Sequence, residues 1–165
     1  MNESESKNEK PKEERRFDPE LLKKGLRCEL DQYDMLKRCS DNKNISGWNQ
    51  WRKKHRDEEI LLEGVDFTRW YLKGAYLEGA KLQNAILWEA KLQGANLRET
   101  CLQKAKLMRA HLEGVEFGRA NLQKADFSRA IVDGGTLIWD VKVDPKTKFE
   151  GVVLDAARIY PEDRI

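Results

Sequence analysis

Histidine and cysteine are scarce: the 165 residues include two of the first and three of the second. No group of them has the spacing of a zinc site. A low, odd cysteine count fits a reducing compartment, and so the cytoplasm, better than a disulfide framework. Long apolar runs are also missing. No stretch approaches the roughly 18 residues of a membrane span, and the opening MNESESKNEK lacks the apolar core of a secretory signal. Neither GxxxxGK(S/T) nor GxGxxG occurs, so the common phosphate-binding loops are not expected. An excess of one charge is lacking too. Lys+Arg is 31 against 29 for Asp+Glu, a formal net charge of +2. That balance excludes a strongly anionic nucleic-acid mimic. It also argues against one broad basic nucleic-acid-binding face. Apolar residues reach only 39% and charged residues 36%, which predicts a thin core under a large surface.

Residues 1–16, MNESESKNEKPKEERR, have Met1 as their only large apolar side chain. They cannot bury enough surface to offset ordering entropy and read as a disordered tail. Order is expected from Phe17. Asp18 suits an N-cap, Pro19 the first helical position, and Phe17 with Leu22 a hydrophobic staple. Apolar spacing from Leu22 to Leu36 predicts a helix over about 19–38, and Cys28 and Cys39, 11 apart, are read as small apolar core residues on that helix. Ser46 is the expected cap of a second helix over about 47–60, which puts Trp48 and Trp51 on one face. The run Arg52-Lys53-Lys54-His55-Arg56 is followed by Asp57-Glu58-Glu59 and reads as a solvated helical face.

From Val65 the chain changes character. It divides into fifteen consecutive fives, from VDFTR and WYLKG to AIVDG and GTLIW. The third position is Leu eleven times, Phe three times and Val once, and the first is Ala ten times. After a break at 140–146 the pattern resumes as TKFEG, VVLDA and ARIYP. A period of five fits neither a helix nor a simple alternating strand. It does fit a short extended side followed by a corner, where positions one and three share the inner face. Four such sides close a square coil, and coils stack roughly 4.8 Å apart. The expected bore is a ladder of Phe67, Leu72, Leu77, Leu82, Leu87, Leu92, Leu97, Leu102, Leu107, Leu112, Phe117, Leu122 and Phe127, packed against alanines. A second large side chain per side would overfill it. Gly74, Gly94, Gly114 and Gly134 recur at the fifth position and predict one left-handed corner, the other corners having different needs.

Ala95-Asn96-Leu97, Ala120-Asn121-Leu122 and Ala125-Asp126-Phe127 carry an A-(D/N)-L/F motif that resembles the pentapeptide-repeat proteins. The resemblance covers about 65–161. It implies an all-β solenoid, a right-handed quadrilateral β-helix, with an N-terminal α-helical cap. WNQWR at 48–52 looks like the lead-in of some bacterial members. The expected organisation is a tail at 1–16, a helical cap at 17–63, the β-helix at 64–161 and a C-terminal tail at 162–165. Trp48, Trp51 and Trp70 would cover the first coil. Family members often dimerise through the last coil, and Leu154 and Ile159 make a homodimer plausible here. Some bacterial relatives mimic duplex DNA and protect gyrase with an anionic rod. Residues 64–165 hold 16 Lys+Arg and 14 Asp+Glu, which disfavours that role and nucleic-acid binding alike.

A bore filled by Leu and Ala leaves no concavity for chemistry, so neither catalytic nor metal or cofactor-binding residues are expected. His55 and His111 read as exposed, and Cys101 as an accessible outward thiol. Chemistry then rests with the outer walls and a protein partner. Ile86, Trp88 and Met108 form an apolar cluster between Thr68 and Ser128, the candidate partner surface. Lys104, Lys106, Arg109, Lys124 and Arg129 form a strip suited to an anionic partner, with ordinary surface packing as the plainer alternative.

Overall fold

A computed structural model of the chain describes residues 17–153 and the backbone of 158–160. The expected tails at 1–16 and 162–165, Leu154 and the Ile159 side chain lie outside the described residues. Second-position residues bridge in parallel to residues 20 further on, as in Tyr71 to Lys91, Lys91 to His111 and His111 to Ile131. Four pentads therefore complete one turn, and backbone hydrogen bonds join the turns. Most sides contribute a single bridged residue. Among the described residues the regular strands are β1 (Leu137–Trp139) and β2 (Arg158–Tyr160), paired in parallel. Third-position side chains from Phe67 to Phe127 are at most 3% exposed, and the first-position alanines interleave with them. Thr100 replaces one alanine without leaving a buried donor free, since its hydroxyl donates to Leu97 O at 2.7 Å.

Each corner is closed by a first-position N–H donating to the third-position carbonyl before it, as Ala75 N does to Leu72 O at 3.0 Å. The residue between them at position five takes a positive φ, the mark of a type II turn. Gly74, Gly94 and Gly114 do so at 65–69°. Arg69, Asn84, Glu89, Lys104 and Arg109 also do so at 54–61°. The expectation that one glycine column marks a special corner is therefore corrected: fifth positions from Gly64 to Arg129 are left-handed alike. A left-handed L-residue costs about 1 kcal/mol. The ladder holds it there, as when Arg109 N donates to Ser128 O at 3.1 Å.

Gly134 falls outside that set, because the chain slips at this point. Glu116 bridges Leu137, one residue late. The inward first position is therefore Thr136, fully buried, with Ile138 as the following third position, not Gly135 and Leu137. The extra residue is absorbed by a corner with its own chemistry. Asp133 Oδ1 accepts from Gly114 N and Gly135 N at 2.8 and 2.9 Å. Thr136 Oγ1 donates to Leu112 O at 2.8 Å and accepts from Asp133 N at 3.1 Å. The same corner recurs at Asp144-Pro145-Lys146-Thr147 within the apparent break. Asp144 Oδ1 accepts from Lys124 N and Lys146 N, each at 3.0 Å, and Thr147 Oγ1 reaches Leu122 O at 3.1 Å.

The N–H of Gly114 holds the Asp133 carboxyl below its ordinary pKa, against a smaller desolvation effect, with Gly135 and Thr136 adding to it. For Asp144, desolvation pushes upward but is outweighed by the N–H groups of Lys124 and Lys146 and by Thr147. A carboxyl depressed in the folded state stabilises above its unfolded pKa, about 3.9, and loses that stabilisation as pH falls through the folded value. The melting temperature is therefore expected to fall below about pH 4. An Asp133→Ala, Asp144→Ala variant should show a shallower decline over that window. Parallel melting curves against pH for the two proteins would sink the assignment.

The N-terminal part is broken up more than its spacing predicts. In place of one helix over 19–38 stand α1 (Pro19–Leu22) and α2 (Leu30–Asp41), separated by a turn through Gly25, φ 71°. Asp18 caps α1 as expected, accepting from Glu20 N and Leu21 N. Leu22 is exposed and Leu21 packs on the core instead, so the staple is not made. Cys28 lies in an extended segment bridged to Leu62, and Glu29 caps α2. The third helix, α3 (Ser46–Lys54), is shorter than expected. Ser46 is its first residue and makes no side-chain cap, while Asn44 Oδ1 accepts from Ser46 N at 3.0 Å.

The coil also starts earlier than residue 64. Ile60 and Leu62 are buried, Lys81 N donates to Ile60 O and Leu62 N to Lys81 O, and Gly64 closes the corner at φ 71°. Ile60–Gly64 is thus a pentad in its own right. Side chains of the helices meet the backbone groups that this first turn leaves without a preceding coil. Trp48 Nε1 donates to Tyr76 O at 2.9 Å. The Asn49 amide donates to Gly74 O and accepts from Tyr76 N, both at 2.9 Å. Ser40 Oγ accepts from Tyr71 N at 2.9 Å.

Candidate interaction surface

The square coil sorts outward residues into four walls. Wall one comprises residues 60–64, 80–84, 100–104 and 120–124; wall two 65–69, 85–89, 105–109 and 125–129. Walls three and four begin at residues 70 and 75. Ile86, Trp88 and Met108 all lie on wall two, and all three are half-buried. Trp88 is not bare: the Arg69 guanidinium sits 4.9 Å from its ring centroid. Arg69 also pairs with Glu89 at 2.8 Å, and Arg109 approaches the same carboxylate at 3.6 Å. The hydrogen bond from Arg69, then its charge and Arg109, hold the Glu89 carboxyl below its ordinary range despite desolvation.

Lys104, Lys106, Arg109, Lys124 and Arg129 are all exposed. Lys104, Lys124 and Lys106 stand at and beside the corner between walls one and two, whereas Arg109 and Arg129 close wall two at its corner with wall three, so the expected single strip divides between two corners. Lys104 and Lys124 stand on adjacent coils and have no ion pair among the described residues. Nor have Lys106 and Arg129. Asp126, the acidic residue within this strip, is committed to Ser128 and to Lys148 at 3.6 Å.

The remaining reactive types are tied down differently from expectation. His55 is half-buried, its ring stacked 4.9 Å from that of Trp51 and Nδ1 2.8 Å from Trp51 O. His111 Nδ1 lies 3.5 Å from Glu113. Cys101 is half-buried with Lys81 Nζ 3.7 Å from its sulfur. Burial, then Asp18, Glu29 and Asp34, pushes the Cys28 thiol up to about 12, which makes it inert. Trp70 is half-buried between Phe67 and Tyr33 of α2, and Trp51 packs 5.2 Å from the buried Trp48.

One open groove of about 780 Å³ runs between the end of α3 and wall four. Of its lining cations, Arg52 donates to the carbonyls of His55 and Glu58, and Lys53 sits over the Tyr76 ring. Arg52 thus ties the end of α3 to the segment that follows it, and Lys53 reaches the rod. Among the described residues no cluster of His, Cys, Asp or Glu could hold a metal ion, and no helix is long and apolar enough to cross a membrane.

The five-residue period and the bridges at 20 residues coincide with a known pattern. The model of the family "Pentapeptide repeats" matches residues 71–107 and 100–137, in eight copies. Residues 71–137 are pentapeptide repeats. Solved structures of similar shape are pentapeptide-repeat proteins too. One from the thylakoid lumen of Arabidopsis thaliana is 28% identical at a TM-score of 0.46, over 60% of this chain and 63% of that one. QnrB1, a plasmid-mediated fluoroquinolone resistance protein, is 20% identical at a TM-score of 0.52, over 62% of this chain and 53% of that one. The chain thus spans under two thirds of the length of either. No curated protein matches it. The repeat match and the likeness to QnrB1 imply a right-handed quadrilateral β-helix for the rod.

Proposed function

We propose that the protein is a non-enzymatic interaction module, a rigid β-helical rod that presents its outer walls to a partner protein. The filled bore carries this reading. Inward side chains from Leu72 to Phe127 are at most 3% exposed, so the rod's ordered polar chemistry stands on its walls. In this reading the helices of 17–59 cap the first coil, occupying the backbone edge that would otherwise template another chain. A homodimer through the last coil and a cytoplasmic setting, in keeping with three free cysteines, belong to the same proposal. The candidate partner surface is wall two around Ile86, Trp88 and Met108. A DNA-mimicking, gyrase-directed rod needs an anionic surface, whereas the corner beside wall two is cationic.

Immobilised protein incubated with extract of its source cells is expected to retain a stoichiometric protein partner that survives nuclease treatment. Trp88→Ala should weaken that retention. Loss of the retained material on nuclease treatment, or retention of none, would overturn the reading.

A further inference from the structure

The second slipped corner has an effect on the surface as well as on the backbone. Asp144 draws Lys124 N and Lys146 N onto one oxygen, at 3.0 Å each. Lys146 therefore continues the column that Lys104 and Lys124 begin on the two preceding coils. Lys142 flanks this column on wall one, since Leu122 N donates to Lys142 O at 2.7 Å. Lys106 flanks it on wall two. All five lysines are exposed, and none has an ion pair among the described residues. Of the neighbouring carboxylates, Asp126 is paired with Lys148 at 3.6 Å, while Asp144 accepts from backbone N–H groups and leaves one negative charge, felt by Lys124, against the five lysines.

We propose that this corner ridge of Lys104, Lys124, Lys146, Lys142 and Lys106 docks an acidic α-helix of a partner protein. The inference rests on the interaction-module reading above and names the wall and the partner chemistry. Register favours a helix. Coils repeat roughly every 4.8 Å, so three stacked lysines span about 10 Å. Carboxylates at i, i+3 or i+4, and i+7 of a helix rise about 10.5 Å and can follow the column step for step. Same-face carboxylates of an extended strand lie about 6.7 Å apart and fall out of step by the third. Nucleic acid fits less well. Single strands bind on exposed aromatic platforms beside a basic groove, and the nearest aromatic on wall two, Trp88, lies under Arg69. A duplex would bring two rows of phosphates onto a ridge only one corner wide.

The test uses the full chain and a fluorescein-labelled helical peptide of roughly 20 residues bearing glutamates at i, i+4 and i+7. Fluorescence anisotropy should show saturable binding that weakens as salt rises. A Lys104→Glu, Lys124→Glu, Lys146→Glu variant should bind at least about tenfold more weakly while melting like wild type. The same peptide with glutamine at those positions should not bind. Three results would overturn the proposal: no saturable binding, equal binding by the variant, or tighter binding of a single- or double-stranded oligonucleotide than of the peptide. If the triple variant still retained the cellular partner described above, the ridge assignment would fail and the interaction-module reading would stand.

Discussion

Leu107→Lys is expected to abolish cooperative folding of the rod's central coils. Leu107 is fully buried at an inward third position, with Ala105 and Ala110 beside it and Leu87 and Phe127 on the coils either side. Truncating such a leucine alone costs about 2–5 kcal/mol. Lysine adds a charge with no buried carboxylate to meet it, and an unpaired buried charge costs about 3–5 kcal/mol more. The sum reaches the whole stability of an ordinary domain, about 5–15 kcal/mol. Far-UV circular dichroism during heating reads the effect. The matched control is Lys106→Glu, one residue earlier and exposed, which should stay within about 0.5 kcal/mol of wild type. Similar melting of the two variants would show that inward and outward positions have been exchanged.

The second large effect is at the other end of the molecule. Trp48 is fully buried, and its indole N–H satisfies Tyr76 O on the first full coil. Trp48→Ala should cost about 3–5 kcal/mol from lost packing and the cavity left behind. It also strands the Tyr76 carbonyl and loosens the neighbouring Asn49 bridge to Gly74 and Tyr76. Urea unfolding should report the loss, and limited proteolysis should find new cleavage within α2 and α3 before the rod is cut. If cleavage began in the rod while α2 and α3 stayed protected, the helices would not depend on this contact.

The rod was legible because its constraint is repeated. Each coil asks for a large residue at position three and a small one at position one, and the chain meets that demand many times over. Single events were harder to read. The slip at Gly135 looks like one more pentad, yet Asp133 and Thr136 mark it. The same Asp-x-x-Thr returns at 144–147, so a search for that pair would have placed Thr136, not Gly135, in the bore. Corner handedness was underread for a different reason. Glycine advertises a positive φ, whereas Arg69 or Lys104 is forced there by hydrogen bonds to the adjacent coil, which local preference does not reveal. In the helical part, Gly25 and the capping carboxylate of Glu29 outweighed apolar spacing that ran on past them. Among surface residues, the guanidinium over Trp88 escapes a local reading because Arg69 belongs to the previous coil, nineteen positions upstream. Counting by coil instead of by neighbour brings the two together.

The left-handed corners bear on how such a molecule can change over time. A conformation normally rationed to glycine is here enforced by the neighbouring turns, so the identity of the corner residue is largely released from folding. Arginine, lysine, glutamate and asparagine all occupy it in this chain at φ of 54–61°. The corners therefore act as vertical lines of interchangeable letters on a fixed scaffold. A line can drift from acidic to basic, one coil at a time, while the interior remains under strict selection. Partner preference and thermal stability can then evolve along separate tracks, and a recombinant rod with rewritten corners should be a practical starting point for new binding specificities.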